Sequence, residues 1–137
     1  MNLTKAIYTR LVTDPTITGS LSSFNGTSSV FFSTHAPDSA SLPYIISRGA
    51  WSIQPWDNKT SQGQESYYDI GIYTSDNDSI STLETITDRV RTLLHRYNLP
   101  VTGSSTVMCE CSDIGISPYE DQVQGRIVTI RLINSNN

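Results

Sequence analysis

The sequence is poor in the residue types that carry most enzyme and metal chemistry. It has only two cysteines and two histidines in 137 residues, and charged residues make up only 16% of the chain. Nine Lys and Arg face thirteen Asp and Glu, which gives a formal net charge of −4. Without a basic cluster, this balance argues against binding to a nucleic-acid backbone, which requires grouped cations. Two cysteines are also too few for a disulfide scaffold.

Long apolar runs are missing as well. The longest wholly apolar stretch is a few residues, whereas a membrane-spanning helix needs about 20, so we expect no membrane partner. The first ten residues contain no signal-peptide core, so we expect synthesis in a reducing cytoplasm. With no internal repeat or linker, residues 1–137 are predicted to form a single domain of ordinary size.

The strongest local pattern is an amphipathic helix from Ser79 to Tyr97. Apolar residues recur there at spacings of three and four, as on one face of a helix: Ile80, Leu83, Ile86, Val90, Leu93, Leu94 and Tyr97. Ser81 and Glu84 fit a capping box, and Asn98 followed by Pro100 is expected to end the helix. One apolar stripe requires an apolar partner surface.

Strands are predicted to supply that partner surface. Leu3–Val12 is predicted to be a further helix, which Asp14-Pro15 stops, and residues 16–29 a loop pinned to the core by Ile17, Leu21 and Phe24. A short apolar run predicts a strand or strand edge at residues 30–33. Further strands are predicted at residues 42–53, 65–74, 107–114 and 123–133. The predicted fold is α+β, with one antiparallel sheet of about four to five strands packed against two helices.

Cysteine, histidine and acidic residues are the candidates for metal binding and catalysis. Cys109 and Cys111 lie two apart in a strand and share a face, but both histidines, His35 and His95, are distant in sequence, so core packing is favoured over zinc. The acids of residues 76–79 fit helix capping better than an EF-hand calcium loop. We therefore predict no metal site and no cofactor.

No nucleophile elbow or glycine-rich phosphate loop occurs in the sequence. His35 is expected in an exposed loop, and His95 as a cation at a helix end. An unmarked carboxylate pair stays open as an enzymatic alternative, but no residue is predicted to be catalytic, and the chain is predicted not to be an enzyme.

Aromatic residues are the best candidates for an interaction surface, because they are enriched at protein interfaces. Trp51 is assigned to the core, whereas Trp56 is balanced between core and interface. Alternation in 65–74 puts Tyr67, Asp69 and Tyr73 on the face opposite Tyr68, Ile70 and Ile72.

The layout of the whole chain then suggests a family. AIYTRLVTDPTI is followed by HAPDSASLPYIIS, by YYDIGIYTSDNDSISTLETITDRVRTLLH and by a final hairpin. From about Ala6 to Leu132 this layout resembles the tail-completion or tail-terminator (tail-to-head joining) proteins of long-tailed bacteriophages. The resemblance implies a structural virion protein of the tail and neck, made in the host cytoplasm. It implies a homohexameric ring on the last layer of the tail tube, with the tube protein and the head connector or stopper protein as partners.

A ring needs two different complementary patches on each subunit, and strand edges and polar hairpin loops can supply them. The predicted interface residues are Trp56, Asp57, Asn58, Lys59, Tyr67, Tyr73, Tyr119, Glu120 and Asp121. Six copies carry a formal charge of about −24, so we expect DNA to pass through the ring without specific binding. The acids expected to line that passage are Asp57, Glu65, Glu110, Glu120 and Asp121.

Two further alternatives remain open on the sequence. The chain could be a head-completion or stopper protein of the neck, which differs from a terminator in the neighbour it binds. It could also be a monomeric adaptor that captures peptides along an exposed sheet edge.

Overall fold

Three helices and eight strands make up the described part of the chain. The structure, a computed structural model, describes residues 3–33, 37, 39–55, 62–75, 79–98, 106–116 and 123–136. The helices are α1 (Leu3–Val12), α2 (Pro15–Ser20) and α3 (Ile80–Leu94). The strands are β1 (Ser23–Phe24), β2 (Thr27–Ser28), β3 (Val30–Phe31), β4 (Tyr44–Pro55), β5 (Gln62–Ser75), β6 (Tyr97–Asn98), β7 (Thr106–Ile116) and β8 (Val123–Asn136).

Six of these strands form one mixed sheet, in the order β3-β4-β5-β8-β7-β6. β3 runs parallel to β4, every other neighbouring pair is antiparallel, and β1 and β2 form a separate two-stranded hairpin. The predicted antiparallel sheet of four to five strands on two helices is therefore wrong. A strand was predicted at residues 30–33, where β3 lies, but not its parallel pairing with β4. β6 was not predicted, because its two residues are too few to show alternation.

Helix α2 is an additional helix in a segment where a loop was predicted. Asp14 caps it by accepting a hydrogen bond from the backbone N–H of Ile17 at 3.0 Å, and Pro15 takes the first helical position, where its missing N–H costs nothing. The predicted anchors Ile17 and Leu21 are confirmed as core residues. Phe24 is half-buried and packs edge-to-face on Phe31.

Helix α3 lies close to its prediction but has different ends. Ser79 caps it and accepts a hydrogen bond from the backbone N–H of Ser81, so the predicted Ser81 capping box is wrong. The helix ends at Leu94, and Arg96, with a φ of 59°, turns the chain into β6. Tyr97 thus belongs to a strand, and Ile80 of the predicted stripe is exposed.

The helices cover one face of the sheet. Alternate side chains of the two central strands lie in the core with α3: Tyr68, Ile70 and Ile72 of β5, and Val128, Ile130 and Leu132 of β8. The predicted alternation in residues 65–74 is thereby confirmed. Gly49 has a φ of 88° at a register shift between Ser47 and Ala50, which confirms the predicted bulge. No helix in the described part of the chain is long and apolar enough to cross a membrane.

Candidate interaction surface

The sheet face opposite the core carries aromatic, aliphatic and charged side chains, and we call it the open face. Residues paired across neighbouring strands point to the same side of a sheet, so the strand registers define its members. The aromatic, isoleucine and methionine residues of the open face that are partly or well exposed are Phe31, Tyr44, Ile46, Tyr67, Tyr73, Met108, Ile127 and Ile133. Both described aromatics among the predicted interface residues, Tyr67 and Tyr73, therefore lie on one surface.

An ion trio crosses three strands of the open face. Arg131 on β8 donates to Glu65 on β5 at 2.7 Å and to Glu110 on β7 at 3.0 Å. Its guanidinium holds the pKa of Glu65 below the usual range, and the two carboxylates raise the pKa of Arg131. Two acids expected to line a DNA passage are thus shared by one cation, so this trio contributes a net charge of −1 rather than −2.

A row of aromatic rings runs from the small hairpin onto the open face. Phe24 contacts Phe31, Phe31 contacts Tyr44, and Tyr44 contacts Tyr73, with ring centroids 5.4, 6.3 and 5.8 Å apart. The Tyr73 ring also covers Gly71, where an added Cβ would lie 2.7 Å from a ring carbon. Tyr73 is therefore packed within its own chain, and only the remaining surface of its ring is available to a partner.

Both outer long strands have partly open edges. Among the residues that the structure describes, β3 pairs with β4 at Ile45 and Ile46, and β6 pairs with β7 at Met108 and Cys109. Three of the four large hydrophobic residues that are exposed in the described chain lie on these two strands: Ile53 at 61%, Met108 at 43% and Ile114 at 39%. Unpaired edges with exposed aliphatic residues favour association with another strand.

The two long hairpins connect their strands at opposite ends of the sheet. β4 ends at Pro55 and β5 begins at Gln62, which pairs with Asn136, whereas β8 begins at Val123, which pairs with Ser75. The fourteen residues of β5 separate these ends by about 43 Å at 3.3 Å per residue. Seven predicted interface residues lie outside the described residues: Trp56, Asp57, Asn58, Lys59, Tyr119, Glu120 and Asp121.

The cysteines occupy the core side of β7. Cys109 is fully buried, and burial raises the pKa of its thiol to about 12; Cys111 is half-buried against the same core. The interpretation of both as core residues is confirmed. His95 lies at the C-terminal end of α3, as expected, and its Nδ1 accepts the backbone N–H of Cys111 at 3.0 Å.

The other candidate positions give no metal or catalytic cluster in what is described. His35 and residues 76–78 lie outside the described residues, and the side chain of Trp51 is not described. Among the residues that are described, no group of three or more His, Cys, Asp or Glu could hold a metal ion.

Comparison with known proteins decides the family. A family model described as "Tail completion protein gp17" matches residues 5–133. The chain belongs to this family. It is a structural tail protein of the phage virion and not an enzyme.

Among solved structures, the fold is similar to a chain described as "Virion of native gene transfer agent (GTA) particle". The TM-score is 0.79 at 16% sequence identity, over 98% of this chain and 95% of that one. At this identity the likeness shows the fold alone. A search of curated proteins found no match.

The ion trio was not predicted, although the sequence contains a signal for it. Each member of the trio lies in a predicted strand, at a position whose side chain alternates onto the face away from the core: Glu65, Glu110 and Arg131. The strand order, which brings β5, β8 and β7 side by side, could not be derived from the sequence. Opposite charges on three neighbouring strands then meet on one face.

Proposed function

We propose that the chain caps the end of the phage tail tube as a sixfold ring, stops tube growth and joins the tail to the head-side connector. The family match over residues 5–133 carries this proposal. A protein in that position must contact the tube on one side and the connector on the other. The two long hairpins support such a role, because they leave the sheet at opposite ends.

The lateral contacts of a ring also have candidates. A closed rotational ring uses two different patches on each subunit. The sheet offers two different open edges, and the open face adds a polar and aromatic surface that includes Tyr67 and the ion trio. We propose Tyr67 and Tyr73 as interface residues together with the seven candidates outside the described residues.

Passage of DNA is part of the same proposal. The chain carries a formal charge of −4, and like charge keeps a phosphate backbone from binding to the wall of a channel. Because Arg131 binds Glu65 and Glu110, most of the repulsion is assigned to other acids. We expect no retention of double-stranded DNA by the purified protein in a filter-binding assay at physiological salt.

Length control of the tail tube tests the proposal. Tube subunits polymerised with the purified chain should give tubes that stop growing and carry the chain at one tip in negative-stain images. Tubes that lengthen equally with and without the chain contradict a terminator. If full heads lose their DNA in the absence of the chain while tail length stays normal, the neck stopper is the better assignment.

A further inference from the structure

β4 and β7 each keep one regular four-residue stretch beyond their register shifts, away from the short strands β3 and β6. Register shifts interrupt β4 between Ser47 and Ser52, and β7 between Cys111 and Asp113. Bulges on an edge oppose uncontrolled strand pairing. The regular stretches beyond these shifts are Ser52–Pro55, the β4 edge segment, and Asp113–Ile116, the β7 edge segment. No strand in the described chain pairs with the outer side of either.

The direction of the strands makes these segments complementary between copies. β4 is antiparallel to β5, β5 to β8, and β8 to β7, so β4 and β7 run in opposite directions on opposite sides of the sheet. Copies related by rotation about an axis roughly along the strands keep this orientation. The β4 edge of one copy then meets the β7 edge of the next in the antiparallel sense, which is the more stable pairing.

Each edge segment carries an exposed isoleucine on the same side of the sheet. Ile53 pairs in register with buried Ser66, and Ile114 with buried Val128, so both belong to the face that carries the helices. Ile53 pairs with Ser66 of β5. Ile114 pairs with Val128 of β8, which in turn pairs with Ile70 of β5, so the two isoleucines align with β5 residues four positions apart. This offset of four residues is about 13 Å, and its even number keeps every side chain on its own face.

We propose that in the ring the β4 edge segment of one copy pairs antiparallel with the β7 edge segment of the next, with Ile53 opposite Ile114. The inference rests on the proposed function and adds the contact through which the copies meet. The offset inclines the strands to the ring axis, as in any closed staggered sheet. Because the paired segments are short, each contact buries little surface. We therefore expect the pairing to be stable when the tube end holds the copies next to one another.

Cysteine cross-linking on assembled tails tests this register. Side chains opposite each other in an antiparallel pair have Cβ atoms about 4.5–5.5 Å apart, within reach of a disulfide after slight adjustment. Mild oxidation of tails carrying Ile53→Cys with Ile114→Cys should give a ladder of linked chains up to six. A mixture of the two single variants should give dimers and nothing larger, because each copy then carries one of the two partners.

Two controls accompany the cross-linking. The unchanged chain, which keeps Cys109 and Cys111, measures background from the native thiols. Ile80→Cys with Ile114→Cys is the matched variant, because Ile80 is similarly exposed but lies on α3. A ladder in this variant as strong as in the 53/114 variant overturns the proposed register.

Failure of the inference is distinguishable from failure of the proposed function. Capped tails of fixed length that give no 53/114 cross-link overturn the edge pairing and leave the cap in place. Absence of the chain from the tail tip overturns both. If the cysteine variants do not assemble, hydrogen exchange of the unchanged chain decides: both edge segments should exchange more slowly on tails than in the free protein, and unchanged exchange at both overturns the pairing.

Discussion

Asp14 joins two helices, and its replacement should separate two contributions to stability. Its carboxylate caps α2 through the N–H of Ile17 and accepts two hydrogen bonds from Arg89 of α3, at 2.5 and 3.0 Å. The Asp14 side chain is only 7% exposed, whereas that of Arg89 is 36% exposed. Asp14→Asn keeps an oxygen for the cap but loses the ion pair, and Asp14→Ala loses both.

The difference between the two variants measures the cap. Loss of an N-cap side chain costs about 1 kcal/mol of unfolding free energy. For a domain of this size, 1 kcal/mol lowers the midpoint of thermal unfolding by roughly 3–5 °C. We therefore expect Asp14→Ala to melt about that far below Asp14→Asn at pH 7 by circular dichroism. Equal midpoints for the two variants contradict the assignment of Asp14 as the α2 cap.

The pH dependence measures the ion pair. Hydrogen bonds from Arg89 lower the pKa of Asp14 from its ordinary value of 3.8. A lowered pKa in the folded state stabilises the protein above the ordinary value, and this contribution is lost as pH falls through the lowered one. The stability gap between wild type and Asp14→Asn should therefore narrow below pH 3.8. A gap that stays constant from pH 7 to pH 2.5 refutes the reasoning.

Three further predictions concern the open face and the core. Arg131→Gln should raise the pKa of Glu65 in an NMR titration, because the cation that lowers it is gone; an unchanged pKa contradicts the observed pairing. The buried thiol of Cys109 should resist iodoacetamide at pH 8 in the native protein and react after denaturation; alkylation of the native protein at this residue by peptide mapping contradicts its burial. Gly71→Val should destabilise by about 1–3 kcal/mol in urea titrations, because the new side chain meets the Tyr73 ring. Adding Tyr73→Ser should recover part of that loss, and strict additivity of the two changes argues against the contact.

Local periodicity predicted the long elements well. The first helix was predicted at its observed bounds, Leu3–Val12, and the alternating faces of residues 65–74 were confirmed. These features depend on neighbours in sequence, where spacing of apolar residues reports directly on burial. The family resemblance depended on the same long elements and was confirmed by the family match.

The missed features depend on contacts between distant parts of the chain. β3 lies within the strand predicted at residues 30–33, but its parallel pairing with Ile45 and Ile46 of β4 leaves no pattern in its own residues. The ion pair between Asp14 and α3 spans 75 positions in sequence. A single sequence provides neither the strand order nor such a partner, because both follow from packing of the whole chain.

The placement of β8 at the centre of the sheet affects how the chain folds. β5 pairs along its full length with β8, as in the contact of Asp69 with Thr129, 60 positions later. During synthesis β4 and β5 leave the ribosome first, and the middle of the sheet cannot form until β8 follows. Pairing between strands so far apart in sequence is slow. Until β8 has been synthesised, the edge of β5 that will pair with it is unpaired, and such an edge promotes aggregation.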